Sequence, residues 1–213
     1  MRTGILFAVA AAVLSSTGRA ATFEIDPVHS GVSFTVRHMM VSKVRGRFGK
    51  FDGTFDYEPG RPGSWAAAAT IDAASIDTGN ERRDGHLRSG DFFDAERCPK
   101  IEFKSTKVQQ DKDGKAKLHG ELTMRCVTKP VVLDLELGGV APGMSGRIAG
   151  ANATGKINRK DFGVSWNKTL DSGGLAVSDE VDISIEVEGK ETVKAPAAAD
   201  EKPKADSKPA KRG

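Results

Sequence analysis

An antiparallel all-β fold of about eight strands is predicted by three features of the chain. Runs of strictly alternating apolar and polar residues recur along it, short Gly/Asp-rich turns separate them, and only one segment carries a helix-start signal. Such a pattern fits a sandwich or an up-and-down barrel.

The first run is VHSGVSFTVRHMM, Val28 to Met40. Val28, Ser30, Val32, Phe34, Val36, His38 and Met40 fall on one side of a strand, and His29, Gly31, Ser33, Thr35, Arg37 and Met39 on the other. On an unbroken strand His29 and His38 point apart and cannot share a metal ion, so the stretch reads as a wall. Val44, Gly46 and Phe48 share a face, as do Phe51, Gly53 and Phe55, with the parity switched at Gly49-Lys50. A bend at that glycine puts all six on one side. Trp65, Ala67, Ala69, Ile71 and Ala73 form the next face. Ile101 and Phe103 open a strand that the turn Asp111-Lys112-Asp113-Gly114 joins to another bearing Leu118, Gly120, Leu122 and Met124. Val131, Leu133, Leu135 and Leu137 follow, then Ala149, Ala151, Ala153, Gly155 and Ile157, and last Val181, Ile183, Ile185 and Val187. Thr78 and Glu81 stand as a capping box, predicting a short charged helix from Asn80 to about Gly90.

The ends differ from the middle. Residues 1–20 combine Arg2, the apolar run Ile5–Leu14 and small residues at Gly18 and Ala20, which reads as a secretory signal peptide cleaved between Ala20 and Ala21. Residues 190–213 are rich in Lys, Ala and Pro without an aromatic, which reads as a disordered tail. The net charge of +3 comes from these ends, and residues 21–189 carry −2. A nucleic-acid-binding face is therefore not expected on the domain. Contact with an anionic membrane surface would run through the basic tail and would be weak. The expected location is periplasmic or secreted.

The inward faces are uneven. Aromatics crowd some strands, whereas the Trp65 and Ala149 strands present mainly Ala and Gly. These small-residue walls imply either close packing against a helix or facing sheet, or a void. Barrels of this size can hold one small ligand. Catalytic signatures are weak. Asp84, His86 and Ser89 supply the residue types of a hydrolase triad, but helical positions two apart do not face each other. No metal-binding helix motif occurs, and no cofactor or metal is expected.

Taken in order, DPVHSGVSFTVRH, VRGRFGKFDGTF, SIDTGNERRDGHLRSGDFFD, CPKIEFKST, LHGELTMRCVTKPVVLDLE and INRKDFGVSWN resemble the YceI-like family, from about Thr22 to Glu188. The resemblance implies an exported, lipocalin-like antiparallel barrel of eight strands with one short helix inserted. It also implies an isoprenoid lipid, polyprenyl or quinone, as ligand. The residues expected to bind it are Phe34, Val36, His38, Phe48, Phe51, Phe55, Ala67, Ala69, Ile71, Arg88, Phe92, Phe93, Phe103, Leu122, Met124, Leu133, Leu135, Ala151, Arg159, Asp161, Phe162 and Trp166. Among these, His38, Arg88, Arg159 and Asp161 are the candidates for contact with a polar head group. The expected function is a non-enzymatic carrier or store; the alternatives are a lipid-acting hydrolase and a filled-barrel stress or interaction domain.

Cys98 and Cys126 flank the Asp111–Gly114 hairpin. Pairing Phe103 with Leu122 puts Pro99 opposite Cys126 and Cys98 on the other face, which favours two free thiols, Cys126 buried and Cys98 more accessible, while a bend at Pro99 that turns Cys98 inward would allow a disulfide.

Overall fold

The computed structural model describes residues 20–169 and 176–192. Nearly all of the segment read as a signal peptide, and most of the segment read as a tail, lie outside the described residues. Strands run over Ala21–Ile25 (β1), Gly31–His38 (β2), Ser42–Phe48 (β3), Phe51–Tyr57 (β4), Ala66–Asp72 (β5), Ile76–Asp77 (β6), Lys100–Gln110 (β7), Ala116–Met124 (β8), Val127–Gly143 (β9), Gly146–Asn158 (β10) and Val177–Glu191 (β11). Glu81–Arg88 forms α1, the single α-helix among the described residues.

Three pairs of short strands are bent continuations of one another. β1 passes into β2, β3 into β4 and β5 into β6, which leaves eight strands around the barrel. The parity switch at Gly49-Lys50 is the β3–β4 bend, pinned by Gly49 N donating to Ser75 O at 3.0 Å. All pairings are antiparallel, and β7 meets β8 with Phe103 opposite Leu122. Closure is made at β11, which takes β1 over Gly189–Glu191 and β2 over Val177–Glu186. A closed sheet leaves no edge for other chains to pair with.

The changeover between β1 and β2 is stitched to β11. Asp26 N donates to Glu188 O at 2.8 Å. The Ser30 hydroxyl donates to Glu188 O and accepts from Glu188 N. The buried Asp26 carboxylate accepts from Val28 N, from His29 Nδ1 at 3.0 Å and from Lys190 Nζ at 2.7 Å. Lys190 and Glu191 therefore belong to the last strand rather than to a tail, and Arg147 holds Glu191 through two nitrogens.

Two expectations about local structure are corrected. The helix cap is Asn80, whose side chain accepts from Arg83 N at 3.0 Å, while Thr78 gives both its amide and its hydroxyl to the buried Asp84. Cys98 and Cys126 form a disulfide with Cα atoms 5.5 Å apart. Neither cysteine lies in a strand, so the opposed-face argument does not apply to them. Cys98 sits in the turns before β7, and Cys126 shares with Arg125 the two-residue turn between β8 and β9 (φ 59° and 51°). Their exposure is also the reverse of that expected, with Cys98 buried and Cys126 exposed.

Candidate ligand-binding cavity

The barrel encloses an apolar cavity of about 260 Å³. It is long rather than wide. On β11 its wall extends from Val177 to Val187, which at ~3.3 Å per residue and a tilt of roughly 40° is about 25 Å along the axis.

Each end has its own packing. At the helix end Leu87 of α1, Phe92, Phe93, Val164 and Ile157 pack with Phe48, Ile71 and Met124. At the far end Phe23, Tyr57, Trp65, Ala116 and Ala149 form a separate cluster. Trp65 donates its indole N–H to Glu58 O at 2.7 Å, which satisfies the one polar atom of that ring.

Between the ends, the small residues line open space. Ala67 and Ala69 of β5 and Ala151 and Ala153 of β10 face the cavity, whereas Ala149 is used to close the far end. The void alternative for the alanine walls is the one realised in most of their length. Large rings are kept out of the lumen by inward glycines. Phe34 lies over Gly46, where a Cβ would come within 2.6 Å of the ring, and Phe55 and Phe23 lie over Gly189.

Most residues expected at the site line it: Phe34, Val36, Phe48, Phe51, Phe55, Ala67, Ala69, Ile71, Phe92, Phe93, Phe103, Leu122, Met124, Leu133, Leu135, Ala151 and Arg159. Five are placed elsewhere. His38 and Asp161 are exposed, Phe162 is buried behind the wall, and Trp166 packs on Phe92 and His86. Arg88 donates to Ala74 O and Ile76 O, tying α1 to the loop before β6. The β11 face of Val181, Ile183, Ile185 and Val187 also lines the cavity. Its alternation was plain in the sequence, and only its use as wall went unassigned.

Arg159 is the one cation in the wall, 4% exposed. A guanidinium has five N–H donors, and here all five are committed. Nε donates to Ser178 O, Nη1 to Val164 O and Trp166 O, and Nη2 to Val177 O and Asp179 Oδ1. It gathers the backbone at the rim and has no donor left for a ligand. The other polar lining residues are Ser33, Thr54 and Asp56. Ser33 donates to Ser184 O, and Asp56 accepts from Thr22.

The triad residue types are not assembled. His86 Nε2 is 2.8 Å from Asp91, Asp84 serves Thr78, and the Ser89 hydroxyl donates to His86 O. Asp26, His29 and Glu188 do bring three metal-type ligand atoms within 4.8 Å. This cluster was not foreseen, because Asp26 and Glu188 meet only through barrel closure. The Lys190 ammonium already occupies the Asp26 oxygen that faces His29, so the cluster is an ion-pair network. Lys190, then His29 and Val28 N, hold the Asp26 carboxyl well below the usual carboxylate range.

The family model described as YceI-like domain matches residues 23–189. The chain belongs to the YceI-like family. Among its relatives is the UPF0312 protein SA2479 of Staphylococcus aureus strain N315, 36% identical over 168 residues, 78% of this chain and 95% of that protein. The crystal structure of Burkholderia cenocepacia BcnA matches with a TM-score of 0.67 and 26% identity, covering 77% of this chain and 98% of that one. A Saccharophagus degradans structure described as a polyisoprenoid binding domain matches with a TM-score of 0.59, over 81% of this chain and 99% of its own. At 15% identity that last likeness speaks for the fold alone. The YceI-like barrel thus accounts for nearly all described residues, with β11 running two residues beyond the matched span.

Proposed function

We propose that this YceI-like protein is an exported, non-enzymatic carrier or store that holds one long isoprenoid lipid in its barrel. The observation that carries the reading is the lumen itself: about 260 Å³ drawn out along the barrel, lined almost entirely by apolar side chains, with its one cation fully engaged. A narrow apolar bore favours a chain over a compact polar metabolite. Burying roughly twenty carbons at ~0.8 kcal/mol each gives about 16 kcal/mol gross, which exceeds an association cost of order 4–15 kcal/mol. The Saccharophagus domain, alike in fold, is described as polyisoprenoid binding, and the same ligand class is proposed here.

The cavity offers no spare hydrogen-bond donor from Arg159, so the tail carries recognition and the head group lies at the rim. Export is supported by the signal-like residues 1–20 and by the Cys98–Cys126 disulfide, since such bonds persist in oxidising compartments.

Native mass spectrometry of protein purified from its own host, followed by organic extraction, tests the reading. The expected result is a non-covalent adduct released unchanged as a prenyl lipid. Recovery of a chemically altered lipid under turnover, or of protein that neither carries nor takes up any prenyl chain, would overturn it.

A further inference from the structure

We propose that the β2–β3 hairpin is a membrane-docking element that seats the rim of the barrel on an anionic phospholipid surface. Its tip is Met39-Met40-Val41, with 44%, 59% and 87% of each residue exposed. Three consecutive apolar residues thus present much of their surface to water.

The turn geometry argues that these residue types are not there to make the turn. Met39 and Met40 have φ of 50° and 61°, and Val41 N donates to His38 O at 3.2 Å. Within this three-residue loop, a β-turn with positive φ at both central positions is served best by Asn-Gly or Asp-Gly. Unbranched side chains larger than Asn are disfavoured there. Two methionines in succession therefore give up turn stability for an exposed, flexible apolar tip.

Directly behind the tip, the outward face is cationic. Arg37 lies opposite Lys43 in the β2–β3 register, and Arg45 lies one step further along the same face, opposite Thr35. Like charges directly opposite each other on a sheet are unfavourable. None of the three has an ion-pair partner among the described residues, whereas Arg47, next on that face, is held by Asp77. The nearby acids of β11 are already engaged: Asp179 by Arg159 and Lys160, and Glu180 and Asp182 by Lys156. An apolar tip backed by cations matches the depth profile of an anionic bilayer, acyl boundary first and phosphate next.

The hairpin also continues the cavity wall. Val36 on β2 and Val177 on β11 both line the lumen, and Met39 N donates to Ala176 O at 2.9 Å. Docking there would set the barrel rim against the membrane. The proposal stands whatever the cavity holds.

The test is flotation of the purified protein with phosphatidylethanolamine–phosphatidylglycerol vesicles and with phosphatidylcholine vesicles, neither containing an isoprenoid. Met39→Ser/Met40→Ser/Val41→Ser should lower partitioning onto the anionic vesicles at least tenfold. Arg37→Gln, Lys43→Gln and Arg45→Gln should each lower it roughly fivefold, with little effect on phosphatidylcholine. Thermal unfolding of each variant should match the parent. A further variant carries Lys194, Lys202, Lys204, Lys208 and Lys211 as Gln, and should retain most binding. Equal binding by the parent and the hairpin variants, loss confined to the lysine-to-glutamine variant of residues 194–211, or no binding by the parent would each overturn the proposal.

Discussion

The ring of Phe34 lies over Gly46, its direct partner on the neighbouring strand, so that a Cβ at Gly46 would meet the ring and also Thr78 Cγ2 at 2.9 Å. Phe103 likewise covers Gly120, diagonally across the β7–β8 pair, and Leu133 covers Gly155. Each glycine takes up bulk that would otherwise cross the lumen. In a barrel with so many inward aromatics, that is what leaves room for a guest.

Gly46→Ala should therefore push Phe34 off the wall and into the cavity. Its stability cost should be modest, about 1–2 kcal/mol, because the obstructing group is a side chain. Affinity for a long prenyl chain should fall at least tenfold. Gly53→Ala is the contrast, since its Cβ would strike the backbone of Ala68 and Ala69 and should mainly destabilise. Thermal unfolding and ligand titration of both variants distinguish lumen from scaffold.

The barrel seam should respond to acid through Asp26. Its folded pKa is depressed, so its stabilisation is present above the unfolded value of ~3.9 and is lost as pH falls towards the folded one. Lys190 is raised by the same contact and contributes below its unfolded value of ~10.4. Asp26→Asn should lower the melting temperature at pH 7, and the gap from wild type should narrow progressively below pH 3.9. A gap that is constant with pH would show that the carboxylate charge is not what holds the seam.

The disulfide closes a loop spanning 28 residues that contains the β7–β8 hairpin. The chain-entropy relation gives roughly 3–4 kcal/mol for a loop of that length. Cys98→Ala/Cys126→Ala, and reduction of the wild type, should each lower stability by about that amount in denaturant unfolding while leaving the strand content intact.

Arg159→Lys tests the rim. A lysine has three donors on one nitrogen and cannot reach carbonyls fanned around a planar fork. Stability should drop by roughly 2–4 kcal/mol, and preference among prenyl head groups should not change. Altered head-group preference would mean that the guanidinium meets the ligand.

How much of this was legible in the chain follows from range. Alternation is a local signal, and it located the walls, the Gly49-Lys50 bend and the Phe103–Leu122 register. The small β5 and β10 faces left close packing and a void both open in the sequence, and the fold realises the void along most of their length. What escaped were features created by closure or by a turn. β1 is five residues long and acquires partners only from β4 and β11. The cysteines were read as strand residues although both sit in turns, which reversed their geometry. Arg159 and Arg88 were read as head-group contacts from their places in the family-like motifs. Their partners are backbone carbonyls and, for Arg159, also the Asp179 carboxylate, which a sequence motif does not display.

The most direct test of the lumen as the binding site uses Trp65 at the far end. The chain has two tryptophans, Trp65 and Trp166, so Trp166→Phe leaves Trp65 as the sole indole. This variant is titrated with prenyl alcohols of increasing length, each also prepared with a quencher on the tail end. The expected result is saturable one-to-one quenching of Trp65, with affinity rising with chain length and abolished by Ala151→Phe. Absence of Trp65 quenching by any chain length, or quenching unaffected by Ala151→Phe, would contradict a chain-filled barrel.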